Sequence, residues 1–180
     1  MIVARRTTMP WKNGGGITHE LWRTPRRAPD FDLRISIAEV AANGPFSCFP
    51  GIDRIITLLS GGGFRLVGGA VDQVVSTIGQ PFAFGGEVPL TCTLLGGPVR
   101  DFNVMIRRGS GLGARVRLAH GGLLPQEGFV LPLDDDAEVH GAWGLIPLPR
   151  EELTVLDEMA GATVLVAPGM GALVVEVFDT

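Results

Sequence analysis

The chain is short of positive charge, of cysteine and of clustered histidine, and each shortage excludes a class of function. Lys and Arg number 15 against 19 Asp and Glu, a formal net charge of −4. No strongly basic field is therefore available for nucleic acid or an anionic membrane surface. The basic residues are scattered and not interleaved with aromatics as an RNA-binding face requires. Cys48 and Cys92 lie far apart with no CxxC spacing, which argues against a disulfide scaffold and a zinc knuckle. They read as buried free thiols in a reducing compartment. His19, His120 and His140 make neither HxH nor HxxxH, so no metal site is expected. There is no GxSxG elbow, and no GxGxxG turn in a βαβ setting, so no nicotinamide or other cofactor is expected. No apolar run is long enough to cross a bilayer. The opening Met1-Ile2-Val3-Ala4-Arg5-Arg6 is too short an apolar run for a signal peptide. The expectation is a cytoplasmic protein with no membrane and no nucleic-acid partner.

What remains is an apolar, turn-rich chain. Its 180 residues suit one domain or two small fused lobes. With 46% apolar and 19% charged residues it can bury a core of its own and is not disordered. Gly (26) and Pro (13) are spread between apolar runs, which implies many tight turns. Period-two alternation is common and helical periodicity scarce. Strands are expected at 2–6, 17–23, 33–40, 54–59, 64–67, 71–76, 90–95, 102–107, 115–119, 129–133, 162–167 and 173–178. The single helix candidate is Arg150–Ala160, stopped by Gly161. The fold class is all-β, a sandwich or barrel. Leu58–Leu66 and Leu165–Leu173 both read as apolar strand, Gly turn, apolar strand, a faint echo of two lobes. Asp134-Asp135-Asp136 lacks EF-hand spacing and reads as a solvated loop.

Two segments carry polar residues along one whole strand face. Asp32, Arg34, Ser36 and Ala38 oppose Phe31, Leu33, Ile35 and Ile37; Asp101, Asn103, Met105 and Arg107 oppose Phe102, Val104 and Ile106. An ordinary half-exposed strand alternates in this way too. Arg with Asn or Ser on one face is also the chemistry of a carboxylate pocket. Guanidinium offers a planar fork to two oxygens, and neutral groups set orientation. Near the N-terminus, Trp11, Lys12 and Asn13 precede Gly14-Gly15-Gly16. Lys12 is the only lysine. The triple glycine suits close backbone approach or an anion nest, or simply a turn plugged by Trp11. Pro45–Arg54 holds Phe46, Phe49 and Arg54 in a Pro-rich loop that reads as a wall of rings. The ordinary alternative for Arg54 and Asp53, adjacent charges at a loop end, is pairing with each other or with neighbours.

These segments together resemble the HutD/Ves family. The resemblance rests on Met9–Gly16, Leu33–Val40, Gly44–Arg54 and Gly97–Arg108, and covers the first hundred or so residues strongly. It implies a cupin-type β-barrel with two cupin-like lobes in one chain, a bicupin, the first lobe at roughly 1–110 and the second at 111–180. It implies an association with bacterial histidine utilisation and binding of a small pathway carboxylate such as urocanate or formylglutamate. The usual cupin metal pattern of two nearby histidines, a glutamate and a later histidine is not present.

The expected site is a barrel lumen. Arg34, Ser36, Asn103 and Arg107 line it, Trp11, Lys12 and Asn13 stand at its mouth, and Phe46, Phe49 and Arg54 form the adjoining wall. The leading function is a non-enzymatic carboxylate binder. The alternative is a metal-independent isomerase or hydrolase. Its general base would be Asp101, or Glu39 if a bulge turned it inward, with Lys12 as stabiliser. A third class is an interaction module, a homodimer joined at sheet edges.

Overall fold

The structure is a computed structural model describing residues 2–3, 6–12, 14–25, 30–125, 127–135, 137–141, 144–156, 163–166 and 171–180. Every regular element among the described residues is a β-strand. The first half holds β1 (Ile2–Val3), β2 (Thr7–Pro10), β3 (Gly16–Thr24), β4 (Leu33–Val40), β5 (Gly44–Phe46), β6 (Ile52–Ser60), β7 (Phe64–Gly68), β8 (Val71–Val75), β9 (Pro81–Gly85) and β10 (Leu90–Leu94). There follow β11 (Val99–Arg107), β12 (Leu112–Ala119), β13 (Gly121–Leu123), β14 (Gly128–Pro132), β15 (Ala137–Gly141), β16 (Gly144–Leu148), β17 (Thr154–Val155), β18 (Thr163–Val166) and β19 (Ala172–Asp179). The chain divides into two compact units, Arg5–Leu112 and Met1–Ala4 with Gly113–Thr180.

In the unit Arg5–Leu112, a six-stranded sheet, β2-β3-β4-β11-β6-β9, faces a four-stranded one, β5-β10-β7-β8. Val40, Ile56 and Leu58 of the first pack with Phe64, Leu66, Leu90 and Cys92 of the second. Each such fully buried side chain contributes about 1.5–3 kcal/mol relative to exposure. The apolar stripe closes one end of the space between the sheets. β6 leaves the first sheet and β7 joins the second, so Gly61-Gly62-Gly63 is a corner and not a hairpin. Gly61 and Gly63 have φ of +97° and +91°, and a Cβ on Gly63 would stand 2.6 Å from the Val75 carbonyl oxygen. Only glycine fits there. β18 and β19 likewise belong to different sheets, but residues 167–170 of that second turn lie outside the described residues.

The other unit pairs a five-stranded sheet, β1-β17-β14-β19-β12, with a four-stranded one, β13-β18-β15-β16. Val130, Val139, Leu148, Leu156 and Val174 form its core. Here the helix expectation fails. Thr154 and Val155 are strand residues hydrogen-bonded between β1 and β14, and residues 157–160 lie outside the described residues. Leu153 to Leu156 are four consecutive buried positions. A surface helix buries one stripe, whereas a strand inside a sheet covered on both faces buries every residue. Asp134 is not merely solvated, since its Oδ2 accepts the Gly171 N–H at 2.8 Å. Cys92 is buried, but Cys48 is exposed, contrary to the expectation of two buried thiols.

Candidate functional site

Strand register builds the site in rows. On β11, Met105 lies opposite Arg34 of β4 and Arg54 of β6; Asn103 lies opposite Ser36 and Ile56; Asp101 lies opposite Ala38 and Leu58. Opposed residues on antiparallel neighbours share a face. β3 extends the rows with Arg23, Glu20 and Thr18. A bulge between Glu20 and Trp22 shifts the alternation, so Glu20 and Arg23 both fall on the Arg34 side. The result is a cavity with about 430 Å³ of empty space counted out to its mouth. Arg34, Ser36, Asn103, Met105 and Arg54 form its floor, and Trp11, Phe46 and Phe49 supply aromatic wall.

Arg54 is the centre of the arrangement. It is 5% exposed. Nη2 donates to Asn103 Oδ1 at 2.7 Å and Nη1 to the Ser47 carbonyl at 3.1 Å. Its guanidinium carbon stands 4.6, 5.1 and 5.3 Å from the rings of Phe46, Phe84 and Phe49, a cation–π cage. Nε is buried without a hydrogen-bond partner. Burial lowers its pKa to about 10, and Arg34 adds to the lowering while Asp101 and Cys48 oppose it. It stays cationic at neutral pH.

Arg34 is held differently. Its Nε donates to Glu20 Oε2 at 2.8 Å, and Arg23 Nη2 donates to the same oxygen at 2.9 Å. Burial pushes the Glu20 carboxyl up, but these two hydrogen bonds and the two positive charges outweigh it and leave Glu20 below its ordinary value. Arg34 and Arg23 both lie against the Phe31 ring, at 5.9 and 5.8 Å.

Behind Asn103 lies Asp101, fully buried. Its Oδ1 accepts a short hydrogen bond from Asn103 Nδ2, and its Oδ2 has no partner. Burial raises its pKa to about 7, against the pull of Arg54 and of the Asn103 hydrogen bond. Asn103 thus turns its nitrogen to a carboxylate and its oxygen to a guanidinium, an orientation that satisfies both.

Trp11, Arg34, Ser36, Phe46, Phe49, Arg54 and Asn103 meet in this cavity. Lys12 does not line it; it is exposed on the turn after Trp11. Asn13 lies outside the described residues. Arg107 shares the face but ends its strand, and is drawn away. Its Nε donates to the Phe31 carbonyl at 3.0 Å, and Asp32 and Asp30 sit 3.5 and 3.7 Å from its guanidinium. Asp101 reaches the cavity only through Asn103. Glu39 stays on the opposite face of the sheet, its Oε1 3.0 Å from His19 Nε2. Thr18, Ala38, Ser47 and Met105 line the cavity and escaped the sequence reading as site residues. Thr18 Oγ1 accepts the Trp11 indole N–H at 2.8 Å and pins that ring. Among the described residues no three His, Cys, Asp or Glu side chains converge to hold a metal.

The pattern of the HutD family matches residues 4–170. An uncharacterized 21.2 kDa protein in the hutC 3' region of Pseudomonas putida is 48% identical over 101 residues, 54% of this chain and 52% of that one. Protein Ves of Citrobacter koseri is 44% identical over 112 residues, 61% of this chain and 57% of that one. The chain thus spans about half the length of the curated relatives it matches. A conserved protein of unknown function from Pseudomonas aeruginosa PAO1 superposes with a TM-score of 0.85 at 28% identity, covering 99% of this chain and 98% of that one. HutD from Pseudomonas fluorescens SBW25, in a formate condition, gives 0.83 at 29% identity with the same coverage. A cupin 2 conserved barrel domain protein from Leptotrichia buccalis, at 9% identity and a TM-score of 0.58, covering 100% of this chain and 98% of that one, shows the fold alone, a cupin-type barrel.

Proposed function

The chain belongs to the HutD family, and on that premise we propose that the cavity between Arg34 and Arg54 binds a small carboxylate metabolite of histidine breakdown, urocanate or formylglutamate, and so modulates histidine utilisation in the cytoplasm. The observation that carries this reading is Arg54. It is a buried cation whose hydrogen bonds go to neutral oxygens, those of Asn103 and Ser47. A guest carboxylate supplies the charged acceptor that a buried guanidinium favours. Ser36 and Asn103 orient it, and Trp11 and Phe46 offer flat apolar cover. The description of the Pseudomonas putida relative by its place beside hutC fits the same pathway.

Calorimetry with urocanate and formylglutamate tests the proposal. The wild type is expected to bind one of them, and Arg34→Ala to weaken binding about tenfold to a hundredfold, the worth of a charged hydrogen bond. Equal, negligible heats from both proteins overturn it. One observation favours a second reading, a metal-independent isomerase or hydrolase: Asp101 titrates near 7, where a general base works best. It needs Asn103 to move aside, because Asp101 does not line the cavity. Consumption of either metabolite that disappears in Asp101→Asn supports that reading, and no turnover removes it.

A further inference from the structure

Carboxylate binding as proposed leaves a buried carboxyl group, that of Asp101, without a role. Asp101 is enclosed on every side. Asn103 bridges it to Arg54, and its Oδ2 accepts no hydrogen bond. Around it, β6 presents Arg54, and β4 presents Arg34 two rows away along the same face. β10 presents Cys92, whose thiol is pushed to about 11, by burial first and by Asp101 second. β3 presents Glu20 in the neighbouring row, already tied to Arg23 and Arg34. His19 of β3 faces the other way, against Glu39. Arg54 is therefore the cation that offsets Asp101, and Asp101 the carboxylate that offsets Arg54.

A guest carboxylate seated on Arg54 competes with Asp101 for that one positive charge. Two anions sharing one buried guanidinium repel, and burial magnifies the repulsion. Protonating Asp101 relieves it, and a proton on Oδ2 breaks no existing hydrogen bond. We infer that Asp101 is an exchangeable counter-anion for Arg54: a carboxylate guest binds together with one proton from solvent, and that proton ends on Asp101 Oδ2. The inference rests on the binding reading above and assigns its pH control. Before binding, Arg54 and ionised Asp101 cancel; afterwards, Arg54 and the guest cancel and Asp101 is neutral.

Because burial already holds Asp101 near 7, uptake is partial at pH 7, approaches one proton by pH 8 and fades below pH 6. Affinity above pH 7 falls by up to about tenfold per pH unit. The test titrates urocanate and formylglutamate into the protein at pH 7.0 and 8.0, in phosphate and in Tris, whose ionisation heats differ. Wild type is expected to take up about half a proton at pH 7 and close to one at pH 8. Asp101→Asn imitates the protonated state. It is expected to show heats that do not depend on buffer and to bind about tenfold more tightly than wild type at pH 8. A purely structural Asp101 would weaken binding on replacement. Wild-type binding without proton uptake, or weaker binding by Asp101→Asn at pH 8, overturns this inference and leaves the binding reading standing. No binding of either carboxylate overturns both.

Discussion

Replacing Asp101 with Asn is expected to make the fold less sensitive to alkali, whatever the cavity binds. The carboxyl has a pKa of about 7 in the folded chain against 3.8 unperturbed. That gap of about three units corresponds to about 4 kcal/mol. Between pH 4 and pH 7 the folded chain holds this proton and the unfolded chain does not. Stability therefore falls as pH rises through that window, and the whole cost is present above pH 7. Proton binding at 3.8 unfolded and about 7 folded makes the cost about 1.7 kcal/mol at pH 5 and about 4.3 kcal/mol at pH 8. Asn carries no such cost. Urea unfolding of both proteins at both pH values measures it, with Trp11 and Trp22 reporting from the unit Arg5–Leu112. The stability difference between variant and wild type should move by about 2–3 kcal/mol in the variant's favour from pH 5 to pH 8. Groups common to both proteins cancel in that comparison. A difference that stays constant, or moves the other way, refutes the charge assignment.

Arg107→Ala should leave carboxylate affinity unchanged within about twofold and cost under about 1 kcal/mol in stability, since its ion pairs with Asp30 and Asp32 are largely exposed; calorimetry and urea unfolding check the two halves. Glu20→Gln removes the negative charge shared by Arg23 and Arg34, so carboxylate binding should tighten several-fold at low salt and less at high salt, read by calorimetry. Gly16→Ala would set a Cβ 2.4 Å from the Glu39 carbonyl and 3.0 Å from the Trp11 ring. A shifted tryptophan emission and a loss of about 1–3 kcal/mol are expected in urea unfolding followed by fluorescence. Phe64→Ala should cost about 3–5 kcal/mol in the same assay, because Phe64 is fully enclosed between the two sheets.

Alternation within single strands carries much of the site. Leu33–Val40 and Phe102–Arg107 place Arg34, Ser36 and Asn103 on one face because both segments are long, regular and paired without interruption from Leu33 to Val40. Arg54 reads in sequence as one of two adjacent charges. In the structure Asp53 meets Arg108 at 3.4 Å instead, and Arg54 points inward. The signal was its stripe: Arg54, Ile56 and Leu58 share a face, and an arginine inside an apolar row must be caged or paired. Glu20 and Arg23 were not legible, because strict alternation fails at a bulge that no composition rule marks. Arg107 misled for the opposite reason. Alternation gives its face correctly, but position at a strand end lets nearby carboxylates claim it. β17 is not legible in the sequence because four consecutive buried positions, Leu153 to Leu156, show no period, and Glu151 and Glu152 beside them resemble a helix start.

The placement of β1 has a consequence for biosynthesis. Ile2 and Val3 precede the unit Arg5–Leu112 in sequence, yet their partners, Val155 and Thr154, follow it. The intervening unit Arg5–Leu112 is continuous in sequence and can condense as soon as it emerges. The other unit cannot complete its five-stranded sheet until β12, β14, β17 and β19 have been made, and the waiting β1 segment is an open edge for a stray strand throughout that interval.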